Sequence, residues 1–170
     1  MPPAVRGTER LVLRQWRESD LEPFARLNAD PEVMRYFPAP LSREQSDAMV
    51  DRLSGHIEAE GWGMWALERR DTGEFIGFTG LGVPRQVLPF QPCVEVGWRL
   101  AATAWGHGFA TEAAREALRV GFDELGLTEI VSLLIYIRLD EYNYPAAAAL
   151  ATVLLAAAFA TLLLTNLVQR

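Results

Sequence analysis

The stretch Val94-Glu95-Val96-Gly97-Trp98-Arg99-Leu100-Ala101-Ala102-Thr103-Ala104-Trp105-Gly106-His107-Gly108-Phe109-Ala110-Thr111-Glu112-Ala113-Ala114 decides how the rest of the chain is read. Residues 94–100 read as a strand, and Gly97 inside it marks a bulge or a close approach of backbone. Helical spacing runs from Thr111 to Phe122, with Ala114, Leu118 and Phe122 on one side. Between the two lie Gly106 and Gly108, one residue apart. Such a join lets backbone come close to an anion, and the amides that open the helix are unpaired donors at its positive end.

Working outward, Leu11-Val12-Leu13-Arg14 reads as a strand. Ser19 or Asp20 caps a helix that places Leu21, Phe24, Ala25 and Leu27 on one face. Ser42-Arg43-Glu44-Gln45 has the spacing of a capping box, with Ser42 accepting from the Gln45 amide, and the helix it opens turns Ala48, Met49, Leu53 and Ile57 toward a core. Gly61-Trp62-Gly63 ends that helix. Met64 to Leu67 and Phe75 to Leu81 then form a hairpin, with Gly73 supplying the positive φ of its turn. Downstream, Ile130 to Leu133 starts a further strand. This order predicts an α/β (α+β) domain with a mixed, mainly antiparallel sheet and flanking helices.

The length of 170 residues fits one domain, or one domain with a short appendage. Composition divides it unevenly. All 13 glycines lie between Gly7 and Gly126, and 20 of 22 acidic and 14 of 16 basic residues precede position 134. The net charge of −6 therefore belongs to the first part, which argues against nucleic acid as a partner, since phosphate neutralisation needs a basic face. All 16 basic residues are arginine. The single Cys93 reads as a small half-buried hydrophobe, and nothing implies an oxidising compartment. Met1 to Gly7 has no apolar core and does not read as a signal peptide. His56 has no identifiable partner, and Trp62, Trp65 and Trp98 read as core or groove walls.

The region Val94 to Phe122 resembles the acetyl-CoA-binding motif of the GNAT acetyltransferases, in the branch similar to ribosomal-protein N-terminal acetyltransferases. Thr8-Glu9-Arg10-Leu11-Val12-Leu13-Arg14, Asn28-Ala29-Asp30-Pro31-Glu32-Val33 and Gly73-Glu74-Phe75-Ile76-Gly77 agree with it, so the resemblance covers residues 7–133. It implies acetyl-CoA as cosubstrate, no metal, and an amine acceptor that is a small molecule or a protein N-terminus. The amides of Gly106, His107, Gly108 and Ala110, with Thr111, would hold the pyrophosphate. The edge of Val96, Gly97 and Trp98 would pair with pantetheine, and an amide there would polarise the thioester carbonyl. Glu95 is the candidate base, although a carboxylate on a solvated sheet face fits it too. Glu112 suits the helix dipole as a structural residue. His107 stands near a phosphate oxygen or is a solvated loop histidine. A cytoplasmic location follows from the supply of acetyl-CoA.

After Leu133 the family would continue through an asparagine-containing loop, a helix and two strands. None is read here, so the domain is expected to span 1–133 and to stop after its fifth strand, the acceptor half missing. Residues 134–170 instead resemble the C-terminal end of a sulfate-type ABC transporter permease, where an Arg-Leu-Asp-Glu-Tyr stretch precedes the last hydrophobic helix. Ala146 to Val168 is an uncharged run of 23 residues, long enough to cross a bilayer core of about 30 Å. The alternative to an active acetyltransferase is thus a non-catalytic, membrane-tethered chimera or permease fragment.

Overall fold

Leu11-Val12-Leu13-Arg14 forms its expected strand, and the rest of the domain is arranged by what the two faces of the sheet must bury. The computed structural model describes residues 5–84 and 93–128. All of them belong to the first of two units into which the chain divides, Met1–Val131 and Ser132–Arg170. The expected span 146–168 lies outside the described residues, as does the strand from Ile130. Among the described residues no helix is long and apolar enough to cross a membrane.

Five strands form one antiparallel sheet in chain order: β1 (Arg6–Gly7), β2 (Leu11–Arg14), β3 (Met64–Arg69), β4 (Phe75–Gly82) and β5 (Glu95–Leu100). The short β1 was not read from sequence, so the fifth strand is already Glu95–Leu100 and the expected count is corrected by one. Helices α1 (Leu21–Ala29) and α2 (Arg43–Glu60) lie between β2 and β3, and α3 (Phe109–Arg119) follows β5 and continues into a π-helical turn at Val120–Glu124.

Alternation along the strands sorts the two faces. Leu11, Leu13, Trp65, Leu67, Leu81 and Leu100, all buried, share the face packed by α3 through Phe109, Ala113 and Ala117. This corrects the expected stripe, because Phe122 is 45% exposed and the buried side of α3 runs one residue earlier than Ala114 and Leu118. The opposite face carries Phe78, which meets Phe24 of α1 at 5.8 Å, while Trp16 packs on Phe24 at 4.9 Å. Each such edge-on pair contributes about 0.5–1.5 kcal/mol beyond its buried area.

The capping box is present, with the Gln45 amide donating to Ser42 Oγ at 3.2 Å and the Ser42 amide to Gln45 Oε1 at 2.8 Å. In α2 the buried positions are Ser46, Val50 and Ile57, and Ala48 faces out. Asp20 stands at the N-cap position of α1 but its side chain makes no cap hydrogen bond there. It is 1% exposed and takes Arg14 on both oxygens, at 2.7 and 2.9 Å. The close backbone approach expected at Gly97 occurs instead in β4, where a Cβ on Gly80 would fall on the Gly63 carbonyl oxygen, and the one register shift lies at Leu67/Glu68.

Candidate functional site

The join between β5 and α3 has its own local logic. A 3-10 turn at Ala102–Ala104 leads to Trp105, whose indole N–H donates to the Leu100 carbonyl at 2.9 Å and folds the chain back toward β5. Gly106 and Gly108 then adopt φ of 76° and 77°, a region that suits glycine, and Gly108 starts α3. Among the described residues the amides of Gly106, His107, Gly108, Phe109, Ala110 and Thr111 donate to no acceptor; the first to do so is Glu112, to the Gly108 carbonyl at 3.0 Å. Six consecutive donors at a positive helix end form a cradle for an anion.

The cradle is braced from the turn between β1 and β2. Glu112 accepts from Thr8 Oγ1 at 2.5 Å, the Arg10 amide at 2.8 Å and Arg10 Nε at 2.7 Å. Burial pushes the Glu112 carboxyl up, but these hydrogen bonds outweigh it and hold it below its ordinary value. Arg10 also donates to the His107 carbonyl at 3.0 Å and lies over the Phe109 ring at 4.8 Å. His107 stacks on Phe109 at 5.5 Å. Beside the start of α3 an open hollow of about 670 Å³ is walled by three arginines, Arg10, Arg115 and Arg119, and three glutamates, Glu9, Glu112 and Glu116. The wall is balanced in charge: Arg10 pairs with Glu112 and Arg119 with Glu116 and Glu124, so that of the three arginines Arg115 alone has no ion pair among the described residues; in the sequence such charged positions look like ordinary solvated surface.

Strand β5 runs into this loop, and among the described residues it pairs only with β4. Gly97 lies opposite Gly80, and its carbonyl accepts from Thr79 Oγ1 at 3.1 Å. Val96 and Trp98 point to the α3 side of the sheet, where Trp98 is 50% exposed. Glu95, Gly97 and Arg99 share the other face. Glu95 lies opposite Gly82 and is half-buried, and burial alone pushes its carboxyl up. Thus Glu95, Val96, Gly97 and Trp98 fall on one strand, and Gly106, His107, Gly108, Ala110 and Thr111 on the loop that continues it. Among the described residues no cluster of His, Cys, Asp or Glu is placed to hold a metal ion.

Two further residues belong to this end of the sheet. Arg99 extends toward α1, where its Nη1 donates to Asn28 Oδ1 at 2.5 Å and its guanidinium stacks on Phe37 at 4.2 Å. Asn28 is fully buried and fixed by its own Nδ2 donating to Ser46 Oγ at 2.9 Å. Burial lowers the Arg99 pKa to about 10.

Comparison with known proteins agrees with this geometry. The family model of the acetyltransferase (GNAT) domain matches residues 10–152. The chain belongs to the GNAT acetyltransferase family. It is similar to the uncharacterized protein YkkB of Bacillus subtilis, at 34% identity over 128 residues, 75% of this chain and 73% of that protein. It is also similar to the FsC-acetyl coenzyme A-N(2)-transacetylase of Aspergillus fumigatus, at 33% identity over 73% of this chain and 55% of that enzyme. An acetyltransferase structure from Agrobacterium tumefaciens superposes with a TM-score of 0.64 at 27% identity, covering 76% of this chain and 72% of that one. The family match runs past Leu133 to residue 152, beyond the point where the sequence reading ends the resemblance. Nothing in these relatives supports the likeness of residues 134–170 to a transporter permease.

GNAT acetyltransferases take their acetyl group from acetyl-CoA. The β5–α3 cradle fits the phosphates of that molecule on two counts: amides without acceptors among the described residues and two left-handed glycines. At Gly106 an added Cβ would meet nothing within 4 Å, so the loop leaves room for a ligand.

Proposed function

We propose that this GNAT acetyltransferase passes an acetyl group from acetyl-CoA to an amine, either a small molecule or a protein N-terminus of the kind the ribosomal-protein branch modifies. The observation that carries the reading is the row of six unpaired amides, Gly106 to Thr111, on the loop that continues β5. In this reading Gly106, His107, Gly108, Ala110 and Thr111 hold the pyrophosphate, and Arg115 on the adjacent wall adds positive charge toward it. Acetyl-CoA supplies an activated thioester, whose acetyl group ends as an amide while the thiol leaves with a proton. Val96, Gly97 and Trp98 offer the backbone edge that holds the pantetheine arm, and an amide there stabilises the oxyanion. Glu95 accepts the proton of the ammonium acceptor. A carboxylate raised by burial is a better base near neutral pH than an ordinary one, because its conjugate acid is closer in strength to the group it deprotonates. His107 lies at the cradle's rim, where its ring faces a phosphate oxygen. A cytoplasmic site of action goes with the supply of acetyl-CoA.

Calorimetric titration of the full chain with acetyl-CoA tests the cofactor side. Binding is expected for the wild type and its loss for Gly108→Glu, which puts a carboxylate where a phosphate approaches. No heat at millimolar acetyl-CoA, or unchanged affinity in the variant, refutes the assignment.

A further inference from the structure

The acceptor side of β5 holds a charge with an unfilled edge. Arg99 lies on the same sheet face as Glu95 and Gly97, four and two residues along the strand, or about 13 Å and 7 Å at 3.3 Å per residue. Its guanidinium lies over Phe37 at 4.2 Å and near Phe78 at 5.8 Å. One donor, Nη1, is taken by Asn28. Nε is buried without an acceptor, and among the described residues no carboxylate lies within ion-pair distance of this arginine. A desolvated guanidinium with a neutral amide as its one polar partner is costly, and an anion that completes it recovers that cost.

We propose that Arg99, oriented by Asn28 and Phe37, binds a carboxylate on the acceptor, so that the substrate is an amino-acid-like amine and not a simple alkylamine. This rests on the transfer reading above and narrows its acceptor class. The shape of the site selects the group. With Nε buried and one hydrogen of Nη1 given to Asn28, the terminal Nη1–Nη2 edge remains, where two parallel N–H groups match the two oxygens of a carboxylate. Asn28 cannot turn away to serve another partner, because Ser46 Oγ fixes its amide nitrogen. Gly97, halfway between Glu95 and Arg99, is where the amine would meet the thioester, and Arg99 lies on the same face two residues further along the strand. A purely structural arginine, clipping the segment around Phe37 to α1, would need the Asn28 bond and the ring contacts, and would have no bearing on the charge of the acceptor.

The test uses the full chain and matched probes that differ by one carboxylate: L-phenylalanine against phenethylamine, and 4-aminobutyrate against butylamine. Binding is read by ligand-observed NMR, which needs no turnover, and acetyl-CoA affinity is measured calorimetrically on the same sample. We expect at least one acid to bind about tenfold or more tightly than its neutral partner. The preference should fall to near unity in Arg99→Met, return in part in Arg99→Lys, and leave acetyl-CoA affinity unchanged. A thermal melt of each variant checks folding, and Phe37→Ala, which unstacks the guanidinium but keeps its charge, should weaken the preference by a few fold. Equal binding of acid and amine to the wild type overturns the subsite, as does a preference that survives in Arg99→Met. Absence of acetyl-CoA binding would instead refute the transfer reading, while the acid-to-amine ratio would still decide the role of Arg99.

Discussion

Arg14 and Arg99 stand in the same row of the sheet, on the same face, joined through the cross-strand partners Ala66 and Phe78. Their surroundings are opposite. Arg14 is 3% exposed, and its donors reach Asp20 twice, Glu68 at 2.7 Å and the Gln15 carbonyl at 3.1 Å. Burial pulls its pKa down, but the carboxylates outweigh that and the net shift is upward. Arg99 has the burial without the carboxylates, and its pKa falls to about 10. The β2 end of the sheet is a closed electrostatic structure, whereas among the described residues the β5 end keeps donors without acceptors in Arg99 and in the amides from Gly106 to Thr111. Within one sheet, satisfied charge marks the scaffold, and unsatisfied charge lies at the end where the proposed ligand sites are.

The largest effect expected from this contrast is in Arg14→Met. It strands Asp20 and Glu68 and should cost about 3–5 kcal/mol in denaturant unfolding, because a buried ion is left without its partner. A loss below about 1 kcal/mol would break the comparison.

Next comes Glu95→Gln, for which turnover should drop by about a hundredfold if the carboxylate is the base. Since a base works when ionised, the wild-type rate should climb with pH through a value above the ordinary carboxylate range, matching the upward shift of Glu95. That limb should vanish in the variant.

A smaller effect is expected of Glu112→Gln, about 1 kcal/mol from weakened hydrogen bonds to Thr8 and Arg10. The carboxyl is held below its ordinary value, so its contribution is present above the unfolded-state pKa and lost as pH falls through the folded one. The acid limb of stability against pH should therefore flatten in the variant.

Smallest is the net stability change in Arg99→Met, expected within about 1 kcal/mol of wild type, since removal of an uncompensated charge is offset by the donor that the buried Asn28 Oδ1 loses. A loss as large as that of Arg14→Met would remove the distinction between the two arginines.

Much of the frame was legible in the sequence because it depends on local signals. The Ser42 capping box, the Gly73 turn and the glycines ahead of α3 each act within a few residues of themselves. Asn28 and Arg99 were not legible as a pair. Between them lie 70 residues, and only the docking of α1 over β4 and β5 brings an asparagine at a helix end onto a strand arginine. The same holds for Glu95, whose position in an alternating strand equally fits a solvated carboxylate until the fold half-buries it. Asp20 looked like a helix cap because its spacing is right for one, but the stronger claim of a buried guanidinium took its oxygens. Phe122 fell off the expected stripe because the helix widens into a π-turn there, which rotates the following side chains relative to a regular 3.6-residue pattern.

The bracing of the β5–α3 loop bears on the heat exchanged when a ligand is captured. Arg10, Thr8 and Glu112 tie the loop to the β1–β2 turn before anything binds, so its backbone is already held in place. A phosphate group arriving there has no segment to fold, and the heat-capacity change of capture should track the area covered alone, without the added component that coupled folding brings. Cutting the tie at Arg10 would shift that signature toward a larger entropic penalty, turning a preset receptor into one that must be assembled at each encounter.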